Sequence, residues 1–100
     1  MENTNDKYTV IFRAPYKFEG TEESSVSLAG IETLTAQDIF AAEAYAARMR
    51  RDASAGFVET TAPYLLFLAA RAAGKPIEYM EGLPSREAIV VKYAVTSFLQ

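Results

Sequence analysis

An alternating pattern near the start of the chain constrains its fold more than any other feature. Every second residue is apolar over one stretch: Tyr8, Val10, Phe12, Ala14, Tyr16 and Phe18. Because side chains of an extended strand alternate between two faces, this spacing places all six on one side of a β-strand. The β-branched and aromatic residues among them favour the same structure. We therefore predict a long strand here.

A second, shorter strand is expected after the turn at Gly20. Val26 and Leu28 alternate with polar or small residues, so the two strands form a predicted β-hairpin over residues 8–29. Pro15 has no amide hydrogen to donate, so the first strand should lie at an edge or bend there. Two strands alone are marginally stable, and we expect a helix to cover their apolar face.

Three helices are predicted after the hairpin from their start and stop signals. Their predicted ranges are 35–51, 60–73 and 85–99. Thr35 is a suitable N-cap for the first helix, and Asp38 places a negative charge in its first turn. Pro63 suits the first turn of the second helix, and Gly74 suits the left-handed residue that ends it. Ser85 can cap the third helix.

The predicted helices carry more apolar surface than one core-facing stripe requires. The predicted inner face of the first helix is Phe40, Ala41, Ala44, Tyr45 and either Ala47 or Arg48, with a second apolar row at Ile39, Ala42, Ala46 and Met49. In the second helix, the run from Tyr64 to Leu68 is apolar on every side. The stripe of the third helix is Val91, Ala94, Val95 and Phe98, bordered by Ile89, Val90, Tyr93 and Leu99. Either these helices form one tight core, or part of their surface is an interface.

Length and composition predict one folded domain of the α+β class. The 100 residues suit a single hydrophobic core, and half of them are apolar, as in globular proteins. We expect residues 1–7 to be a flexible leader. Residues 8–100 should form the domain, with an N-terminal β-hairpin followed by three α-helices and a mainly helical content.

Several features of the sequence favour the cytoplasm. The chain has no cysteine and hence no disulfides, which small secreted domains usually need. Its polar, slightly acidic start is unlike a signal peptide, and no apolar stretch approaches the roughly 20 residues that cross a bilayer. We therefore expect a cytoplasmic protein that does not bind membranes.

The residue types that dominate enzyme active sites are missing from this chain. With no histidine and no cysteine, it lacks the commonest general base, the thiolate nucleophile and the usual nitrogen and sulfur metal ligands. Ser24, Ser25 and Ser85 occupy positions typical of turns, strands and helix caps. The glycines are too far apart for a phosphate-binding loop, and the acidic residues resemble no calcium loop. We predict a non-catalytic protein without a metal or other cofactor.

The net charge of −3 disfavours nucleic-acid binding. Arg48, Arg50 and Arg51 form the one basic cluster, at the end of the predicted first helix, where cations complement the helix dipole. A small helical DNA-binding or repressor-like regulator is the alternative function. The acidic composition and the lack of a basic recognition helix argue against it.

A series of short motifs follows the chain from about Tyr8 to Leu99. They are Phe18-Glu19-Gly20-Thr21, Leu28, Leu34-Thr35-x-x-Asp38, Leu68-Ala69-Ala70-x-Ala72-Ala73-Gly74-Lys75-Pro76, Leu83-Pro84 and Phe98-Leu99. Their order and spacing resemble the phage tail assembly chaperones, the family that includes protein E of contractile-tailed temperate phages and its prophage relatives. The family commonly has aspartate three positions after the Leu-Pro pair. Here that residue is Glu87, which keeps the negative charge.

The resemblance implies a role in virion assembly, in the cytoplasm of the bacterial host and outside the mature virion. Such chaperones are thought to coat the long helical tape measure protein, keep it soluble and promote polymerisation of tail tube subunits around it. In many of these phages, a ribosomal frameshift yields a longer form that recruits the tail tube protein. A chain that ends within its last helix is compatible with the short form.

The surplus apolar surface and the resemblance lead to one hypothesis about the site. Apolar residues of the second and third predicted helices, together with the small residues of the first, form a multimeric surface for tape measure helices. The candidate outward contacts are Tyr64, Phe67, Val90, Tyr93 and Leu99. We expect a homo-oligomer that binds the tape measure and tail tube proteins.

Overall fold

An antiparallel hairpin followed by helices makes up the fold in the computed structural model, which describes residues 6–49 and 62–99. In chain order the elements are a 3-10 turn at Asp6–Tyr8, β1 Thr9–Phe18, β2 Thr21–Ser27, a 3-10 turn at Ala29–Thr33, α1 Ala36–Met49, α2 Ala62–Ala73, α3 Ile77–Glu81 and α4 Ser85–Leu99. The α+β class, the leading hairpin and the mainly helical content are confirmed. The short helix α3 is an addition, since the sequence predicted a connector there.

Where the structure describes them, the helix boundaries lie within one residue of the predicted ones. α4 has both predicted ends, α1 begins directly after Thr35, and α2 ends before Gly74. The predicted end of the first helix, the start of the second and the intervening loop fall in residues 50–61, outside the described residues. Residues 1–5 of the predicted leader also lie outside them, whereas Asp6–Tyr8 form a 3-10 turn.

β1 departs from regular pairing where Pro15 occurs. Ile11 pairs with Ser25, and the next pair is Tyr16 with Glu23, so five steps along β1 match two along β2. The extra residues form a bulge, which agrees with the predicted bend because proline cannot donate to the ladder.

The bulge also breaks the continuous apolar face that the alternation predicted. Tyr8, Val10 and Phe12 are buried, whereas Tyr16 and Phe18 are half-buried. Ala14 lies within the bulge and is exposed, so its predicted place on the inner face is wrong.

α2 is the central helix of the described fold. It packs against α1, α3, α4 and the 3-10 turn at Ala29–Thr33. Its buried residues are Tyr64, Leu65, Leu68, Ala69, Ala70 and Ala72. A helix with neighbours on most sides needs no polar stripe, which explains its run of apolar residues. For α2, the tight core is the correct interpretation.

The predicted inner face of α1 is correct at Tyr45 but wrong at most of its other positions. Ala42, Tyr45 and Ala46 are buried, whereas Phe40 and Ala44 are exposed. The buried side of α1 combines Tyr45 with Ala42 and Ala46 of the second predicted row, whose small side chains let the backbone of α1 approach α2 closely, whereas Met49 of that row is exposed.

A buried carboxylate joins α4 to the bulge of β1. Glu87, in the first turn of α4, is 5% exposed, and its Oε2 accepts a hydrogen bond from the backbone amide of Arg13 at 2.9 Å. This amide lies in the bulge, where regular strand pairing is interrupted. The glutamate side chain therefore takes the place of a strand partner and fixes α4 against the hairpin.

Glu87→Gln is expected to lower the free energy of unfolding by about 1 kcal/mol, because a neutral amide oxygen is a weaker acceptor than a carboxylate. Urea unfolding followed by circular dichroism measures the change. Glu43→Gln, at an exposed position of α1, is the matched control and should be close to neutral. Equal effects of the two substitutions would contradict this role for Glu87.

Candidate functional site

Helix α4 carries an exposed apolar surface, which we call the α4 face and define as Ile89, Val90 and Tyr93. These side chains are 51%, 45% and 63% exposed, respectively. Tyr93 follows Ile89 by four residues and Val90 by three, and side chains at these spacings are neighbours on a helix. The three residues therefore form one continuous patch.

The opposite side of α4 supplies the core. Val91 and Val95 are fully buried, four residues apart. Ala88, Ala94 and Phe98 are partly buried and pack against the core. The inward positions of α4 are thus filled without the α4 face, which stays exposed among the residues that the structure describes.

The charges beside the α4 face are basic. Arg86 is exposed three residues before Ile89, and Lys92 lies three residues after it. The Nζ atom of Lys92 is 5.7 Å from the centre of the Tyr93 ring, within cation–π range. Within α4, the one acidic residue is Glu87, which is buried.

Two of the five predicted contacts share the α4 face, and a third lies elsewhere on the same helix. Val90 and Tyr93 are exposed side by side, as predicted. Leu99 is 45% exposed, but six residues separate it from Tyr93, which places it about 120° away around the helix. Ile89 completes the patch and was not among the candidate contacts, although its spacing of four from Tyr93 was visible in the sequence.

The two candidates on α2 are occupied within the chain. Tyr64 is 4% exposed, so the prediction that its side chain faces outward is wrong, because α2 is surrounded by other elements. Phe67 is half-buried: its ring centre lies 5.2 Å from that of Tyr45, and the Arg71 guanidinium lies 5.0 Å from it. Most of the Phe67 surface therefore serves contacts between α1 and α2.

Other exposed large apolar side chains in the described residues do not adjoin one another as those of the α4 face do. Ile11 lies on β1, and Phe40 and Met49 lie on α1. The two α1 residues are nine positions apart, about half a turn around the helix. The α4 face is therefore the strongest candidate site.

A second cluster joins the hairpin to α3 and is already paired. The Tyr79 hydroxyl donates to Glu23 Oε1 at 2.8 Å, and Lys75 Nζ lies 2.8 Å from Glu23 Oε2. The Tyr16 hydroxyl donates to the backbone carbonyl of Tyr79 at 2.8 Å. Glu23, Lys75 and Tyr79 themselves line an open cleft of about 230 Å³, together with Phe18 and Pro76. Because these polar groups bond one another, we assign the cluster a structural role.

Hydrogen bonds and burial displace the pKa values of five side chains, and for Tyr16 the cause is burial, which raises its pKa. Bonds from Lys75 and Tyr79 lower the pKa of Glu23, and burial followed by the bond to Glu23 raises the pKa of Tyr79. A backbone bond from Thr35, with a smaller contribution from Arg71, lowers the pKa of Asp38. Burial and a bond to Glu81 raise the pKa of Tyr45 to about 12.

The free energy of unfolding is expected to fall at both extremes of pH. The lowered pKa of Glu23 gives stability that is present above its ordinary pKa of 4.5 and is lost as the pH falls through the folded-state value. The raised pKa values of Tyr45 and Tyr79 give stability that is present below 10.0 and is lost as the pH rises. Urea midpoints measured across this range test the profile, and midpoints that stay constant below pH 4.5 and above pH 10.0 would contradict it.

Neither a metal site nor a membrane-spanning helix is found in residues 6–49 and 62–99. No three acidic side chains there are placed to hold a metal ion. No helix there combines the length and apolar character that spanning a membrane requires. Comparison with protein-family models, curated proteins and solved structures finds no match to this chain.

Proposed function

We propose that this chain is a non-catalytic phage tail assembly chaperone that binds the tape measure protein through the α4 face. In this role it keeps the tape measure protein soluble and promotes polymerisation of the tail tube around it. The observation that carries the proposal is the exposure of Ile89, Val90 and Tyr93 as one patch on a helix whose inward positions are already filled.

The physical basis is the mutual burial of apolar surface. Adjoining exposed apolar side chains on a folded chain favour association, since covering them removes apolar area from water. Their helical spacing suits an amphipathic helix that presents its own apolar stripe. A long helical protein offers many such segments, as the proposed tape measure partner would.

Several motif residues behind the family resemblance have structural roles, which agrees with a separation between a buried scaffold and an exposed binding surface. Leu28 and Leu68 are fully buried, and Leu83 is 7% exposed. Gly74 has a φ of 70°, the left-handed conformation that glycine adopts readily at a helix end. These residues build the scaffold, and the α4 face supplies the binding surface.

The remaining parts of the proposal concern assembly. A longer, frameshifted form would bring the tail tube protein to the complex, and several copies of the short form would cover one tape measure protein. Both steps take place in the host cytoplasm before the virion is complete.

A pull-down with the tape measure protein tests the α4 face. The double variant Val90→Lys/Tyr93→Lys is expected to bind more than about tenfold more weakly, because it places two charges in an apolar contact. Ile11→Lys is the control, since Ile11 is an exposed apolar residue of β1, 70% exposed, and is not part of the α4 face. Circular dichroism verifies that both variants fold. Unchanged binding of the folded double variant would refute the site.

A further inference from the structure

The exposed charges of α4 are positive, whereas the net charge of the whole chain is negative. The chain carries a net charge of −3, yet the charged side chains of α4 that border the α4 face are Arg86 and Lys92. The single acidic residue of α4, Glu87, is buried and bonded to the Arg13 amide. The exposed charges that α4 itself places beside the α4 face are therefore basic.

We infer that the α4 face binds an amphipathic helix whose apolar stripe is flanked by aspartate or glutamate. This inference rests on the proposed function and specifies the chemistry of the segment that is recognised. Acidic flanks would lie opposite Arg86 and Lys92 while the apolar stripe covers Ile89, Val90 and Tyr93. Charge complementarity of this kind selects the partner and its orientation.

Lys92 is placed where it can contact an acidic side chain of a bound helix. Its ammonium group lies over the Tyr93 ring, so the charge is already held beside the apolar patch before a partner arrives. Arg86 lies six residues earlier, about 9 Å along the helix axis. The two cations therefore flank the patch at different positions along and around α4, and each can meet a different acidic side chain of a bound helix.

A second copy of the chain is a poorer occupant of the α4 face. Packing one α4 face on another would bring two basic borders together, with no exposed acid on either helix to offset them. Self-association through a different surface remains compatible with the inference.

Two designed helical peptides test the charge preference on the full-length chain. Both carry the same leucine stripe; one has glutamate flanks, and the other has lysine flanks. Fluorescence anisotropy should show that the glutamate peptide binds at least about tenfold more tightly at low ionic strength, with the advantage shrinking as salt is added. Equal affinities, or binding of neither peptide, would overturn the inference.

Charge reversal in the chain provides the matching test. The double variant Arg86→Glu/Lys92→Glu should lose or invert the preference, whereas Lys17→Glu, at an exposed position of β1, should retain it. A preference that persists in the double variant would overturn the inference. So would a dimer in sedimentation velocity that Tyr93→Lys dissociates, because a second copy would then cover the face.

Binding of the tape measure protein to wild type and to the charge-reversed variant distinguishes failure of this inference from failure of the proposed function. If it binds wild type and the charge-reversed variant equally well, the proposed function stands and the acidic-flank inference fails. If it fails to bind wild type at all, the proposed function fails, and the designed peptides still decide the charge preference of the α4 face.

Discussion

Tyr79→Ala is expected to lower the free energy of unfolding by about 3–5 kcal/mol, the range for removing a buried aromatic side chain. Tyr79 is 1% exposed, and its ring contacts those of Tyr16 and Phe18 at centroid distances of 5.0 and 5.3 Å. The substitution leaves a cavity between α3 and the hairpin and removes a hydrogen bond to Glu23. Urea unfolding measures the loss.

Tyr79→Phe distinguishes the contribution of the Tyr79 hydroxyl to stability from that of the aromatic ring. It keeps the aromatic packing and removes the bond to Glu23, so the expected loss is only about 1–2 kcal/mol. The variant should also reduce the loss of stability above pH 10.0, because the ionisable hydroxyl is absent. If Tyr79→Ala costs no more than Tyr79→Phe, the ring does not support the fold as described.

Gly30→Ala is expected to lower the free energy of unfolding by about 3 kcal/mol, at the upper end of the cost of overpacking. A methyl group on Gly30 would overlap the carbonyl oxygen of Ala72 and lie 3.1 Å from its carbonyl carbon. Because the obstacle is the backbone of α2, rotation of a side chain cannot relieve it. Thermal and urea unfolding provide the measurement.

Gly74→Ala is the informative comparison. Gly74 has open space around its Cα but a φ of 70°, so alanine there meets conformational strain of about 1–2 kcal/mol and no clash. We expect Gly30→Ala to be the more damaging substitution. The reverse order would show that the turn at Ala29–Thr33 can move away from α2.

Local signals in the sequence predicted the elements well. The period-two pattern at Tyr8–Phe12 and the cap and stop residues around α4 act over a few positions, and the structure contains the hairpin and the helix where they indicated. The size of the β1 bulge was beyond such signals, because the Arg13 amide within it is bonded by Glu87, 74 positions away in the sequence. Pro15 indicated the position of the bulge but not its size.

The orientation of the helices was harder to predict, because it depends on what surrounds each one. Tyr64 and Tyr93 both belong to strongly apolar helical sequences, yet the first is buried and the second is exposed. The difference arises because α2 has neighbours on several sides, whereas α4 covers the core with one side. In α1, two apolar rows competed, and only packing against α2 decides between them.

The candidate site was partly visible in the sequence. Val90 and Tyr93 were candidate contacts and lie together on the α4 face, whereas Phe67 packs mainly within the chain. The basic border could not be identified from sequence alone, because it depends on the burial of Glu87, the only acid of α4.

Co-expression with the tape measure protein measures the central claim most directly. The soluble fraction of the tape measure protein is compared in cells that produce wild type, Ile11→Lys or Val90→Lys/Tyr93→Lys. Wild type and Ile11→Lys should keep the tape measure protein soluble, and the double variant should leave it insoluble. A tape measure protein that stays soluble with the folded double variant, or is insoluble with wild type, would contradict the proposed role of the α4 face.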